Sequence, residues 1–257
     1  MNTSFSVHGV KTGLLRPGDD ITERIIRAAE GDCGIEDRDI IVIAESALAS
    51  AEGRIISLAD VIPGKEAEKY AEEYSMDPRV AEIVISESDE IIGGIPGFLL
   101  CIKDDTLLPN AGVDGSNTPE GTIVPLPADP NGSASRIKAG IREKTGSDVA
   151  VLIIDSRTHA MRLGVSGVTI GCSGMNAVTD CRGKSDLYGR TLEVTRRAVG
   201  DCIASAAELV MGEADECIPV VIVRGLSDLV GEGDGIETIA PDECLFMGAM
   251  MKKTRDA

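Results

Sequence analysis

Three short runs constrain the fold more than anything else in this chain: DIIVIA at 39–44, VAVLII within 148–154, and IPVVIV at 218–223. Each is a continuous β-branched and aliphatic stretch, without the apolar–polar alternation of a strand wetted on one face. Such runs read as buried strands, which need other layers of structure to cover them. Residues 5–10 and 165–172 read as further strands. Helices are expected over 21–29, where Asp19 and Asp20 provide N-cap chemistry, and over 65–75, with charges around Ala67, Tyr70, Ala71 and Tyr74. Pro78 opens another through Ile85, at a position where proline is tolerated. Further helices are expected over 133–144 and 190–211. The expectation is an α/β chain of one large domain or two modest ones, since 257 residues can bury a sizeable core.

Charge and composition remove several function classes. With 43 acidic against 25 basic side chains the net charge is −18, which argues against a body that binds polyanions. Aromatic residues make up 2% of the chain and tryptophan is absent, so base-stacking platforms are not expected. Nucleic acid is therefore not an expected partner. The seven cysteines form no CxxC pair and are odd in number, as for buried apolar side chains in a reducing compartment. The start, MNTSFSVHGV, has neither the basic end nor the apolar run of a signal peptide. The most apolar stretch, 91–102, is interrupted by Gly93, Gly94, Pro96 and Gly97. A cytoplasmic protein with no membrane partner is expected.

Chemistry is expected where strands stop and loops begin. The stretch 108–130 is aperiodic and rich in Gly, Asn, Asp and Pro, and a loop of that length inside a domain usually serves a function. Its Asp114 is a candidate hard-oxygen ligand with glycines on both sides. Asp155 follows the VLII run directly, with Ser156 beside it. Two carboxylates and a hydroxyl suit Mg²⁺ or Mn²⁺, although Asp155 reads equally well as a cap for the loop that follows it. Arg224 ends the last apolar run and leads into GLSDLVGEGDG, whose backbone could wrap phosphates with Glu232 on a bridging metal, or could be a solvated turn. With two histidines, neither a zinc site nor a histidine-based triad is expected. From the residues alone, no reaction follows.

These same segments resemble the coenzyme F420-0:γ-glutamyl ligase family. The resemblance runs from GVKTGL near Val10 to the GEG at 231–233. It is carried by NAGVDGSN at 110–117, LPADPNGSA at 126–134, KSDLYGRTLEVT at 184–195 and VRGL at 223–226, with AEGR at 51–54 a weaker match. It implies an α+β fold of mixed sheets with packed helices. One ligase-like domain would span 1–257, or two intertwined subdomains would, in a homodimer with the site near the dimer groove. It also implies a GTP-dependent ligase that joins L-glutamate to F420-0 through an acyl phosphate, using two Mg²⁺ or Mn²⁺ ions, with K⁺ a further candidate. Asp114 and Asp155 would be catalytic and hold metal together with Ser156 and Glu232. Leu14, Ser46, Asn117, Leu226, Gly231 and Gly233 would contact the nucleotide. Tyr188 and Arg190 belong to an element expected at the dimer interface or as architecture.

Three departures stand out. Ser50 replaces the lysine that the family carries before AEGR, Thr158 and His159 replace a Gly-Arg pair, and the early nucleotide loop is reduced to Gly13-Leu14-Leu15. The alternative to a working ligase is a divergent paralogue that acts on another carboxylate, or binds F420 or nucleotide without catalysis.

Overall fold

The computed structural model describes residues 4–249, so the first three residues of MNTSFSVHGV lie outside it. Two compact units are present. The first combines Met1–Ile62 with Gly112–Ile236, and the second combines Pro63–Ala111 with Glu237–Ala257.

In chain order the first unit begins with β1 (Ser6–Val10), α1 (Ile21–Glu30), β2 (Ile40–Ala44), α2 (Glu45–Ala51) and β3 (Ile56–Ser57). The second unit interrupts with α3 (Lys65–Tyr74), α4 (Pro78–Glu87), β4 (Glu90–Ile95), β5 (Phe98–Lys103) and β6 (Thr106–Pro109). The first unit resumes with β7 (Thr122–Ile123), α5 (Pro130–Thr145), β8 (Ala150–Thr158), β9 (Val165–Met175) and β10 (Val178–Asp180). It finishes with β11 (Arg196–Ala198), α6 (Val199–Met211), β12 (Val220–Arg224) and β13 (Val230–Asp234).

The three apolar runs become neighbours in one six-stranded sheet, ordered β1-β12-β2-β8-β9-β13. β2 and β8 run parallel, Ile40 opposite Ala150 and Ala44 opposite Ile154. β12 runs antiparallel to β2, Val220 opposite Ile43 and Val223 opposite Ile40. The continuous apolar runs are explained by cover on both faces. Ile40, Val42, Leu152, Ile154, Val221 and Val223 pack with Val199, Ile203, Ala204 and Ala207 of α6. Ile41, Ile43, Val151, Ile153, Val220 and Ile222 pack with Ile25 of α1, Leu48 of α2, and Ile137 and Ile141 of α5. Each fully buried aliphatic side chain contributes roughly 1.5–3 kcal/mol relative to an exposed one. The strands therefore lie inside a helix–sheet–helix sandwich.

Capping follows the sequence. The Asp20 side chain accepts from the Glu23 N–H at 3.0 Å and starts α1. Asp77 accepts from the Arg79 N–H at 2.8 Å ahead of Pro78 in α4. Asp129 accepts from the Gly132 N–H at 2.8 Å, so α5 begins at Pro130, slightly earlier than periodicity places it.

One expectation is corrected. The helix expected over 190–211 starts only at Val199. Before it, Arg196, Arg197 and Ala198 pair antiparallel with Asp180, Thr179 and Val178. Residues 181–198 thus form an exposed hairpin arm that turns at Gly189, whose φ is +80°. In the second unit, the glycine-broken segment after Ile91 is strand: β4, β5 and β6 form an antiparallel sheet. Gly94 belongs there because a Cβ would meet the Phe98 carbonyl at 2.5 Å and the Tyr74 ring at 2.9 Å. Ala67 and Ala71 of α3 pack on Ala81 of α4 in the same unit. Among the described residues no helix is long and apolar enough to cross a membrane.

Candidate active site

Strand direction decides where the chemistry gathers. The carboxyl ends of parallel β2 and β8 share one edge of the sheet, and antiparallel β12 brings its amino end to that edge. There the Ala44 N–H donates to the Pro219 carbonyl at 2.9 Å. A cavity of about 420 Å³ opens at this edge, a size suited to a cofactor or nucleotide. Its wall comes from Gly13–Leu15, the β2–α2 junction with Glu45, Ser46 and Ser50, Asp114, residues 116–118, Ile154 and Ser156. The end of α6 and the turn 211–219 complete it.

Each functional side chain is placed by local structure. Asp114 is pinned by a two-way backbone bridge to Val124, at 2.9 and 2.8 Å. Its carboxylate accepts from the Ser116 N–H at 3.0 Å and from the Ser116 hydroxyl. Asn117 turns the chain with a φ of +50°. Asp155 and Ser156 lie within β8, which continues to Thr158 and does not stop at Ile154 as the apolar run implies. Asp155 is opposite Val168, Ser156 opposite Gly167. Arg157, buried beside them, donates from Nε to Asp155 Oδ2 at 2.9 Å. Gly212, with φ +72°, ends α6 and starts the turn that carries Glu213 back to the cavity.

Carboxyl groups converge here. Desolvation raises the Asp155 carboxyl above its ordinary value; Arg157 opposes this, and the charges of Asp114 and Glu213 add to it. Glu45 is held well above the carboxylate range, by desolvation first, then by the charge of Asp155 with Asp114 contributing. Glu208 is pushed up to about 7 by desolvation and by contact with the Glu213 carboxyl, against a 2.6 Å hydrogen bond from the Gly167 N–H. Like charges brought together in a poorly solvated place cost free energy until a cation or a proton joins them.

The donor set fits a divalent cation. Asp114, Asp155, Ser156 and Glu213 offer hard oxygens, the preference of Mg²⁺ and Mn²⁺. Glu208 Oε1 is buried with no hydrogen-bond partner. Among the described residues no three acidic, cysteine or histidine side chains are already closed around one point, so an ion would have to draw these carboxylates inward.

Of the residues expected from sequence, Leu14, Ser46, Asp114, Asn117 and Ser156 line this cavity, and Asp155 lies within electrostatic reach of Asp114. The GLSDLVGEGDG segment does not join them. Leu226 precedes a short 3-10 turn, and Gly231, Glu232 and Gly233 lie in β13. In that strand Asp234 pairs with Ser173, itself opposite Val151 near the start of β8, away from Asp155. The Arg38 guanidinium binds the Ser227 and Val230 carbonyls and locks the segment to the body. Arg224 is likewise structural. Its guanidinium grips Asp39 at 2.9 and 2.8 Å and the Gly34 carbonyl at 3.0 Å. His159 is exposed and pairs with Ser166 Oγ at 2.6 Å, so it is neither a core histidine nor part of the cavity wall.

Sequence reasoning missed Glu45, Glu208, Glu213 and the turn 212–219. The signal available was GEADE at 212–216, one residue ahead of IPVVIV. That turn becomes a site only because β12 runs against β2.

A family model described as F420-0:Gamma-glutamyl ligase matches residues 9–225. The chain is 45% identical over 213 residues to a coenzyme F420:L-glutamate ligase of Methanopyrus kandleri, covering 82% of this chain and 83% of that protein. It is 45% identical over 214 residues to one from Methanothermobacter thermautotrophicus, covering 82% and 85%. With one from Archaeoglobus fulgidus the identity is 38% over 239 residues, 93% of each chain.

Proposed function

The chain belongs to the F420-0:gamma-glutamyl ligase family, and from that premise we propose that it joins L-glutamate to coenzyme F420-0 at the expense of GTP. The observation that carries this reading is that Asp114, Ser156 and Glu213 line one cavity with Leu14, Ser46 and Asn117, and that Asp155 lies within electrostatic reach of Asp114 and Glu213.

In the reaction proposed, a carboxylate oxygen of F420-0 attacks the γ-phosphorus of GTP and the bond to the bridging oxygen of GDP breaks. The amine of L-glutamate then attacks the acyl carbon, the carbon–oxygen bond to phosphate breaks, and the amine proton leaves to solvent. A divalent cation, Mg²⁺ or Mn²⁺, supplies neutralisation of the phosphate oxygens so that a carboxylate can approach them. Asp114, Asp155, Ser156 and Glu213 would hold it, with Glu213 taking the place expected for Glu232. The β8 strand and the Asp114–Val124 bridge fix these donors on rigid backbone. Asn117, Ser46 and the Gly13–Leu15 loop would bind and orient the nucleotide. We assign the exposed arm with Leu187, Tyr188 and Val194 to a homodimer contact, because an ordered apolar arm in water favours cover.

Incubating the protein with F420-0, L-glutamate, GTP and Mn²⁺ tests the reading, with mass spectrometry for glutamylated product and GDP. Asp155→Asn and Glu213→Gln should each reduce turnover by about 100-fold or more, the scale of losing a transition-state electrostatic contact. Glu232→Gln should leave it within about twofold. If Asp155→Asn keeps full activity, the metal assignment is wrong. Ser50 at the cavity wall favours a second reading, a binding paralogue; nucleotide or F420 binding without product would support it.

A further inference from the structure

We propose that Arg24 is a positioning residue for the nucleotide site, holding the 12–15 loop so that the backbone N–H groups of Gly13 and Leu15 meet the bound nucleotide. The inference rests on the GTP reading above.

Arg24 lies on α1, and one nitrogen of its guanidinium, Nη2, donates to the Thr12 carbonyl at 2.8 Å and to the Leu14 carbonyl at 3.1 Å. The chain reverses between them at Gly13, whose φ is +71°, which lets both carbonyls turn to the same cation. The peptide bonds are trans, and in a planar trans peptide the N–H points opposite to the C=O. Committing the Thr12 and Leu14 carbonyls to Arg24 therefore aims the Gly13 and Leu15 N–H groups away from it. Neither amide has a hydrogen-bond partner among the described residues, and both residues line the cavity.

The wall needs such donors. Its charged side chains among the described residues are carboxylates, including Glu45, Glu208 and Glu213, and the position before AEGR is Ser50. Backbone amides held in a small concave turn can bind anionic oxygens without a side-chain cation. Arg24 accepts a cost for this placement, since its Nε–H is buried without a partner. An arginine serving only to tie down a helix would gain by turning that donor to water or to a carboxylate.

The test compares wild type, Arg24→Met and Arg24→Lys. GTP affinity is measured calorimetrically with excess Mn²⁺, steady-state kinetics are recorded, and amide exchange at Gly13 and Leu15 is followed with and without GTP. Arg24→Met should weaken GTP binding at least tenfold and raise the KM for GTP in parallel, with kcat and the KM for glutamate within twofold. Lysine should recover part of the affinity. GTP should slow exchange at Gly13 and Leu15 in wild type and not in Arg24→Met. If Arg24→Met fails to fold, Arg24→Lys decides by the same readouts, with an intermediate loss expected. Unchanged GTP affinity in the folded variants overturns the inference, as does wild type that binds GTP without protecting those amides. Wild type that binds no GTP overturns the nucleotide reading itself, and this inference with it.

Discussion

Replacing Arg224 by methionine should destabilise the first unit heavily while leaving the cavity chemically intact. Arg224 stands at the far edge of the sheet, where its guanidinium binds Asp39 through two nitrogens at 2.9 and 2.8 Å, the Gly34 carbonyl at 3.0 Å and Glu36 at 2.8 Å. The Asp39 side chain is 2% exposed and that of Arg224 is 24% exposed. Removing one partner of a buried pair leaves an uncompensated charge and costs roughly 3–5 kcal/mol. Partial exposure of Arg224 places the expected loss near the lower end, about 3 kcal/mol. For a chain of this length each kcal/mol moves the melting temperature by roughly 2–4 °C, so the drop should be about 6–12 °C. Urea unfolding with an unchanged slope and a lowered midpoint is the assay. Adding Asp39→Leu should restore most of the loss, because an apolar pair no longer strands a charge. About 1 kcal/mol should remain, since Asp39 also accepts from the Glu36 N–H at 2.8 Å. A loss under about 1 kcal/mol accompanied by weakened nucleotide binding would refute the structural assignment and return Arg224 to the ligand.

Two further outcomes are expected. The Glu208 carboxyl is pushed up to about 7 from an ordinary 4.5, so the folded chain holds that proton more tightly than the unfolded chain. Stability from this group is then fully present below about pH 4.5 and lost as the pH rises through about 7. Urea midpoints of metal-free protein should fall across that window, and Glu208→Gln should flatten the fall; a parallel curve for the variant would exclude Glu208 as the source. At the arm, Tyr188→Glu should halve the sedimenting mass if the hairpin forms the homodimer contact, and an unchanged mass would place that contact elsewhere.

The family was legible in the sequence motifs, and the candidate hard-oxygen ligands were legible in the residues themselves. NAGVDGSN and the Asp155–Ser156 pair carry hard oxygens on short, stiff segments; Asp114 and Ser156 line the cavity with Leu14, Ser46 and Asn117, and Asp155 lies within electrostatic reach of Asp114. The arm was not legible, because its residues pass for a helix lead-in until Arg196–Ala198 find Val178–Asp180 across the turn. The β4–β5 hairpin was hidden for a related reason: its glycines break the hydrophobic pattern, yet Gly94 is what allows backbone and the Tyr74 ring to approach.

What the sequence determined by itself was local: which runs are buried strands, where the helices opened by Asp20 and Pro78 begin, and which side chains could bind a hard cation. What tertiary structure decided was which of those candidates meet. A carboxylate after a strand and one before a strand look alike in sequence, and only the direction of each strand in the sheet assigns them to an edge. Because β12 opposes β2, Glu213 at its start joins Asp155, while Glu232 beyond its end is carried to β13. Hydrogen-bond pairing between residues far apart in the chain sets that direction, and no local propensity encodes it.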